Sequence, residues 1–522
     1  LNGSSQPKKQ VRSDEACNLP VLGKLTKKVY DLCTFGGHFR MVESALIKLF
    51  VVVGGGFDPF SSAVSLEKNV TEFAEIAKNQ GIAPDQVSLL FGAGNRMDEL
   101  DIAEQASDLK DDDILFAALF GSPRGVDLKL RHNKISGLAS SASREDVSKK
   151  LQELQQNTNL KNSLRFYYSG HGGAGHVTRG DFHANTLSLW DNNELSVQDF
   201  TQLLDGFIPE LPMQTLMVQC YSGGFAKLAY RGGKAHVGRQ FTDANRCGFF
   251  SQVPEREAAG CSPDIFKREE YSTYFFQAYQ GKDGEGNKIN ADFDKNGKVG
   301  AHEAHAWVIM NENSFDIPVS TSSEVLRTEL KSSSVLKEAL TGAQYLESMR
   351  TDEKAVALGV SKRLGFAFEL EKDPLKKIRS NVATLNKLMS DLDKEMIVDQ
   401  KILENVLSEI KRSLEKKYPF FLSILSIHNG PNFFPTPEKV ESAKKDFVAH
   451  PKKGEAMRLA KLIGDKGEAK QVKERTRVKW ERLHYLLETK HLEKQFERKD
   501  PKILKIKQFY ERLKSCEKES FF

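Results

Sequence analysis

The chain alternates between two hydrophobic periods, and the change between them divides it. Residues 46–53 form a β-branched apolar run that stops at Gly54-Gly55-Gly56, the pattern of a buried strand meeting a turn. Leu66, Val70, Phe73, Ala74 and Ala77 then recur at helical spacing, Gly81 ends that pattern, and residues 87–91 form a second short apolar run. Strand, helix and strand at this length predict a parallel βαβ unit. Residues 98–113 are acidic and read as a solvated loop or helix, and residues 114–120 as an added strand. Ser143-Arg144-Glu145-Asp146 has the capping pattern that opens a helix through Leu151 and Leu154. Strands are expected at 164–168, 214–219 and 247–253, with a helix over 195–207 capped by Ser196. The sum is an α/β/α sandwich around a mostly parallel sheet.

Beyond residue 326 the strand pattern disappears. Long Lys/Glu/Leu-rich segments at 375–417 and 452–518, interrupted around Pro419 and 429–437, predict helical hairpins or a small bundle. Ile397, Ile402, Val406, Ile410 and Leu414 are expected to form its packed face. The expected division is an N-terminal arm at 1–42, an α/β domain at 43–325 and a helical C-terminal region at 326–522.

Composition changes this picture little. The 522 residues are 39% hydrophobic and 28% charged, which excludes a disordered or fibrous chain. No apolar run reaches the roughly 18 residues of a membrane-spanning helix. Charge is uneven: residues 351–522 carry 38 Lys and Arg against 27 Asp and Glu, and residues 1–350 carry 38 against 44. The basic runs interleave with Glu at helix spacing, so solvated helix faces are expected before nucleic-acid contact. Six cysteines without a Cys-x-x-Cys pair exclude a zinc ribbon and a disulfide scaffold. Local pairings of Cys17 with Cys33 and of Cys247 with Cys261 fit the spacing. The first residue is Leu, so an exported chain with its signal peptide removed is the expected origin, a cytoplasmic one the alternative.

Two predicted strand ends carry chemistry. One leads into Ser169-Gly170-His171-Gly172-Gly173, the other into Cys220-Tyr221-Ser222-Gly223-Gly224. Functional groups gather beyond the carboxyl ends of parallel strands. A thiol needs a base or electropositive neighbour to become a nucleophile, and His171 is placed to supply one to Cys220. The backbone amides of Gly172 and Cys220 are candidate oxyanion donors. The plain alternative is a buried structural cysteine and a loop histidine.

A second motif lies at 292–303, Asp-Phe-Asp-Lys-Asn-Gly-Lys-Val-Gly-Ala-His-Glu. It fits the twelve-residue calcium loop, with oxygens from Asp292, Asp294 and Asn296, the Lys298 carbonyl, and Glu303 as the bidentate ligand. A helix is expected to follow Glu303, while the Gly- and Lys-rich 281–291 makes a preceding helix doubtful. Calcium is therefore the expected ion, and no organic cofactor is expected.

These strand ends resemble the clan of cysteine peptidases that contains caspases, legumains, gingipains and metacaspases. The resemblance rests on the apolar run 164–168 before His171-Gly172 and the run 216–219 before Cys220-Tyr221-Ser222-Gly223. The opening strand 50–55, with the helix around Lys68-Asn69 and Gly81, and the run 249–261 are similar to legumain-like members. The resemblance spans roughly residues 45–325 and implies a caspase-like fold, a Cys–His dyad and endopeptidase activity on protein or peptide substrates. The basic residues that Asn-specific members carry after the first strand are missing here. Asp58, Glu255, Glu257 and Asp264 are instead expected around the specificity pocket, with Ser251 on its wall, so Arg or Lys is the expected residue at the cleaved bond. The stretch 227–239 is expected to be an exposed, mobile linker, with self-cleavage after Arg231, Lys234 or Arg239 maturing a zymogen. An inactive binding scaffold, and a legumain-like peptidase or transpeptidase with Asn/Asp preference, are the rival readings. The helical region is expected to pack on the peptidase domain or to recruit a protein partner.

Overall fold

The structure is a computed structural model that describes residues 30–33, 40–43, 46–105, 110–119, 128–175, 185–234, 240–259, 269–330, 340–418, 420 and 436–522. The chain forms two compact units, residues 1–47 and 48–522. In the first, β1 (Tyr30–Cys33) and β2 (Arg40–Glu43) pair antiparallel. The expected Cys17–Cys33 link lies outside the described side chains.

The second unit contains both the sheet and the helical region. Its nine-stranded sheet runs β13-β12-β11-β8-β3-β4-β7, with β9 and β10 attached to the end of β8. The strands are β3 (Ile47–Gly55), β4 (Val87–Phe91), β7 (Leu138–Ser140), β8 (Asn162–Gly173), β9 (Thr186–Leu189), β10 (Asn193–Ser196), β11 (Met213–Val218), β12 (Arg246–Phe250) and β13 (Val319–Ser320). The pairs β3·β4, β4·β7, β8·β11 and β11·β12 are parallel, and β12·β13, β8·β9 and β9·β10 are antiparallel. A separate antiparallel pair, β5 (Ile102–Gln105) and β6 (Leu128–Arg131), branches off after β4.

Burial on both faces explains why the central strands are continuously apolar. Val51, Val53, Phe166, Tyr168, Met213, Met217 and Phe250 point to one face, against α3 (Arg144–Asn157) and α4 (Val197–Asp205). Phe50, Val52, Tyr167, Leu216, Val218 and Phe249 point to the other. There they meet α1 (Val64–Asn79), α5 (Tyr271–Gln280) and α6 (Ala301–Asn311). The expected caps form: the Ser143 Oγ accepts from the Asp146 amide at 3.2 Å, and the Ser196 Oγ from Asp199 at 3.1 Å.

Of residues 114–120, expected as a strand, 114–118 instead belong to helix α2 (Asp111–Ala118). Three aspartates in its first turn suit the positive end of the helix dipole, and Leu115 and Phe116 are buried against the helical region. Period alone does not separate a short apolar run in a strand from one in a helix.

The C-terminal helices are α7 (Thr321–Glu329), α8 (Gly342–Ser348), α9 (Thr351–Arg363), α10 (Pro374–Glu415), α11 (Pro437–Val448), α12 (Lys453–Glu493) and α13 (Pro501–Lys518). Helices α10 and α12, each roughly 60 Å long, form an arm. At its base Ile378, Trp480, Leu483 and Leu487 share a core with α8 and α9. At its tip Ile410, Leu414, Phe447 and Leu459 pack on α2. Val406, Ile410 and Leu414 are buried as expected, but Ile397 and Ile402 are exposed. Opposite that stretch the two helices are joined by ion pairs of Lys466 with Glu395 and Asp399, and of Lys470 with Asp393.

Cys247 is joined to Cys516, 269 residues away, and not to Cys261. Cys247 lies inside β12, facing α13, and Cys261 is outside the described residues. The bond staples the last helix to the sheet.

Candidate active site

Strand order reverses around β3: the chain leaves it toward β4 and β7, then returns to its other side with β8, β11 and β12. Such a switch opens a crevice at the carboxyl ends of the strands. The register of β8 and β11 pairs Tyr168 with Met217 and Ser169 with Val218. Continuing that register by two residues sets His171, still in β8 and paired with Ser188 of β9, level with Cys220 just past the end of β11.

Local backbone makes this approach possible. A Cβ on Gly172 would stand 2.4 Å from the Cys220 carbonyl oxygen, so only glycine lets the two strand ends close on each other. Tyr221 holds φ +59°, a left-handed conformation uncommon for a residue with a large side chain. It turns the chain from β11 directly into a helical turn at Ser222–Ala229, leaving Cys220 at the apex.

The His171 Nε2 lies 2.8 Å from the Ser61 carbonyl oxygen. A carbonyl only accepts, so this contact assigns the proton to Nε2 and leaves Nδ1 as the basic nitrogen. The Ser61 loop is itself pinned. Its amide donates to the Asp58 carboxylate at 2.7 Å, and its hydroxyl oxygen accepts from the amides of Phe57 and Asp58. Phe57 meets the imidazole edge to face at 5.7 Å. Beneath it, the Tyr168 hydroxyl lies 2.7 Å from the His171 carbonyl oxygen.

Cys220 is 8% exposed. The Ala258 amide donates to its Sγ at 3.3 Å. Residues 251–259 form a wall beside it. The Gln252 Nε2 donates to the Glu257 carbonyl at 2.8 Å, the Tyr221 amide to the Arg256 carbonyl at 2.8 Å, and the Ala259 amide to Asp316 at 2.7 Å. Behind the wall lies a buried charge cluster. The Arg482 guanidinium, from α12, donates to the carbonyls of Asp316 and Glu312 at 2.7 Å each, and its Nη2 lies 3.1 Å from the Glu312 carboxylate. Burial pushes Glu312 up to about 8 and Asp316 up to about 7, against the pull of Arg482.

The expected pocket acids scatter. Asp58 is engaged in the turn that supports His171. Glu255 and Glu257 are exposed on the wall, and the Tyr221 hydroxyl donates to Glu257 at 3.4 Å. Ser251 is fully buried, with its hydroxyl 3.3 Å from that of Ser222, so it supports the wall from behind. Asp264 lies outside the described residues.

Of the stretch 227–239, expected as a mobile linker, the described residues 227–234 are folded. Phe225, Leu228 and Tyr230 are buried, because this stretch carries enough apolar surface to pack against α4 and α13. Arg231 is exposed and paired with Asp243, Lys234 is exposed, and Arg239 lies outside the described residues.

Asp292, Asp294 and Glu303 form the one acidic cluster among the described residues with metal-ligand spacing, their oxygens within 4.8 Å of one another. Asp292 and Asp294 accept from the Asn296 amide at 3.1 and 3.0 Å, and the Asn296 Oδ1 accepts from the Lys298 amide at 2.9 Å. Gly297, at φ +88°, makes the turn. The helix expected from Glu303 starts two residues earlier, at Ala301, so Glu303 stands in the first turn of α6, and no helix occupies 281–291.

Several supporting groups escape sequence reading. Ser61 and Ala258 act through backbone atoms, which leave no side-chain signal. Arg482 and Asp316 are separated by 166 residues, so no local spacing marks their pairing. No protein-family model matches the chain, and no curated protein matches it.

Proposed function

We propose that the chain is a caspase-like cysteine endopeptidase. The observation that carries this reading is the common level of His171 and Cys220, with the imidazole proton fixed on Nε2 by the Ser61 carbonyl. In the proposed reaction Cys220 Sγ attacks the scissile carbonyl as His171 Nδ1 takes the thiol proton. The amides of Gly172 and Cys220 stabilise the oxyanion. His171 then returns the proton to the departing amine, and water hydrolyses the thioester. Glu257, beside Tyr221, supports a preference for Arg or Lys at the cleaved bond. The self-processing sites proposed are Arg231, Lys234 and Arg239.

Calcium at 292–303 is part of the same proposal, held by Asp292, Asp294, Asn296, the Lys298 carbonyl and Glu303. A rise in melting temperature with calcium, abolished by Glu303→Gln, tests it. The Cys247–Cys516 bond supports an extracytoplasmic location. No helix among the described residues is long and apolar enough to cross a membrane.

The burial of Cys220 favours a second reading, a binding scaffold with this fold. Profiling a peptide library with the purified chain and with Cys220→Ala decides between them. The peptidase reading expects cleavage after Arg or Lys that is lost in Cys220→Ala and His171→Ala. Equal cleavage in the variants, or none in any, rejects it.

A further inference from the structure

Among the described residues, the short segment 254–259 lies against the Cys220 sulfur. Its amide at Ala258 sits on the sulfur, yet it has few apolar anchors of its own: Ala258 is buried, while Glu255 and Glu257 are exposed. At its apex Arg256 reaches out to α12. Arg256 Nη2 lies 3.0 Å from the Glu474 carboxylate and Nη1 lies 2.9 Å from that of Glu481. Arg477, between them on the helix, pairs with both glutamates, so two guanidiniums share two carboxylates. All four side chains are only partly exposed, where such pairs are stronger than surface ones and still sensitive to salt.

Helix α12 has a second foothold. Its first turns pack on α2 through Ala456 and Leu459, and Lys453 pairs with Asp112. Helix α2 belongs to the excursion that leaves β4, and Arg256 to the one that leaves β12. Between these strands lie β11, β8 and β3, which carry Cys220, His171 and the Ser61 loop. The arm thus joins the excursions on both sides of the candidate site.

We propose that residues 254–259 are a gate over Cys220, latched by the ion pairs of Arg256 with Glu474 and Glu481 on α12, so that breaking these pairs uncovers the thiol. The proposal rests on Cys220 as the reactive group of the site and extends it to control of access. Opening is a local rearrangement that also breaks the bonds of the Tyr221 amide to the Arg256 carbonyl, of Gln252 to the Glu257 carbonyl and of the Ala259 amide to Asp316, but loses little buried apolar surface.

Alkylation of Cys220 in the full chain by iodoacetamide, followed by mass spectrometry of the Cys220 peptide, tests the gate without requiring peptidase activity. Glu474→Gln combined with Glu481→Gln should speed alkylation about tenfold. Arg256→Gln should do the same. It also serves if the double variant fails to fold. Raising salt from about 0.05 to about 0.5 M should accelerate the wild type and leave the variants unchanged. Rates within about twofold of wild type in folded variants, with no salt effect, overturn the gate. Accelerated alkylation without peptide cleavage in any form supports the gate and rejects the peptidase reading. Cleavage with unaltered alkylation does the reverse.

Discussion

Val51, Val52 and Val53 in the sheet have no exposed surface, whereas Ile397, Val398 and Ile402 on α10 are 63%, 59% and 42% exposed. The two regions are held by different forces. Sheet strands interlock through aromatic and branched side chains on both faces, and that burial is large and cooperative. The middle of the arm is joined by Lys–Asp and Lys–Glu pairs, each contributing at most about 1 kcal/mol in water. The difference teaches where motion is inexpensive. The thiol and imidazole stand on the rigid part, and the segment beside the thiol is tied by ion pairs to the base of α12, where Val478 and Arg482 are buried.

The strongest way to break the comparison is to damage the packing of α1 on the sheet. Phe73 is fully buried against Phe50, Tyr167 and Phe276. Phe73→Ala should cost about 3–5 kcal/mol, read as a lower denaturation midpoint. Next comes the staple. Cys247→Ser with Cys516→Ser opens a loop of 269 residues, and should cost about 2–4 kcal/mol in thermal unfolding. The wild type should approach the variant's melting temperature in reductant.

The third test is proton-linked. Glu312 and Asp316 titrate higher in the fold than their ordinary values, because burial disfavours the carboxylates. The folded state therefore keeps a proton that the unfolded chain has released. Stability from this pair is present below about pH 4 and lost as pH rises through about 7 to 8, with a slope near 1.4 kcal/mol per pH unit per proton. Glu312→Gln should flatten that decline, and an unchanged pH–stability curve would refute the linkage. The smallest effect sharpens the contrast inside the arm. Ile397→Lys and Ile402→Lys should shift stability by no more than about 0.5 kcal/mol. The buried Ile410→Ala should cost about 2–5 kcal/mol.

Much of the α/β part was legible because burial on both faces writes itself as apolar runs between glycines. The strand predicted at 87–91 and the caps at Ser143 and Ser196 stand where expected. The stretch 114–118 turns out helical and not a strand, because its inner face at Leu115 and Phe116 is matched by Val406, Ile410 and Leu414, far along the chain on α10. The packed face expected on α10 was half right for the same reason: helical period shows which residues align, and the partner decides which of them are covered.

The sequence alone determined the alternation of elements, the two glycine-framed strand ends with His171 and Cys220, and the spacing of the acidic loop at 292–303. These are local properties, carried by period, turn chemistry and residue type. Tertiary structure decided which cysteines pair, that Asp58 supports the Ser61 loop, that residues 225–230 are packed, and that Arg482 and Arg256 tie the wall beside Cys220 to α12. Each of these depends on contacts between distant segments, formed only when burial brings them together and makes an unpaired charge or an uncovered apolar face costly.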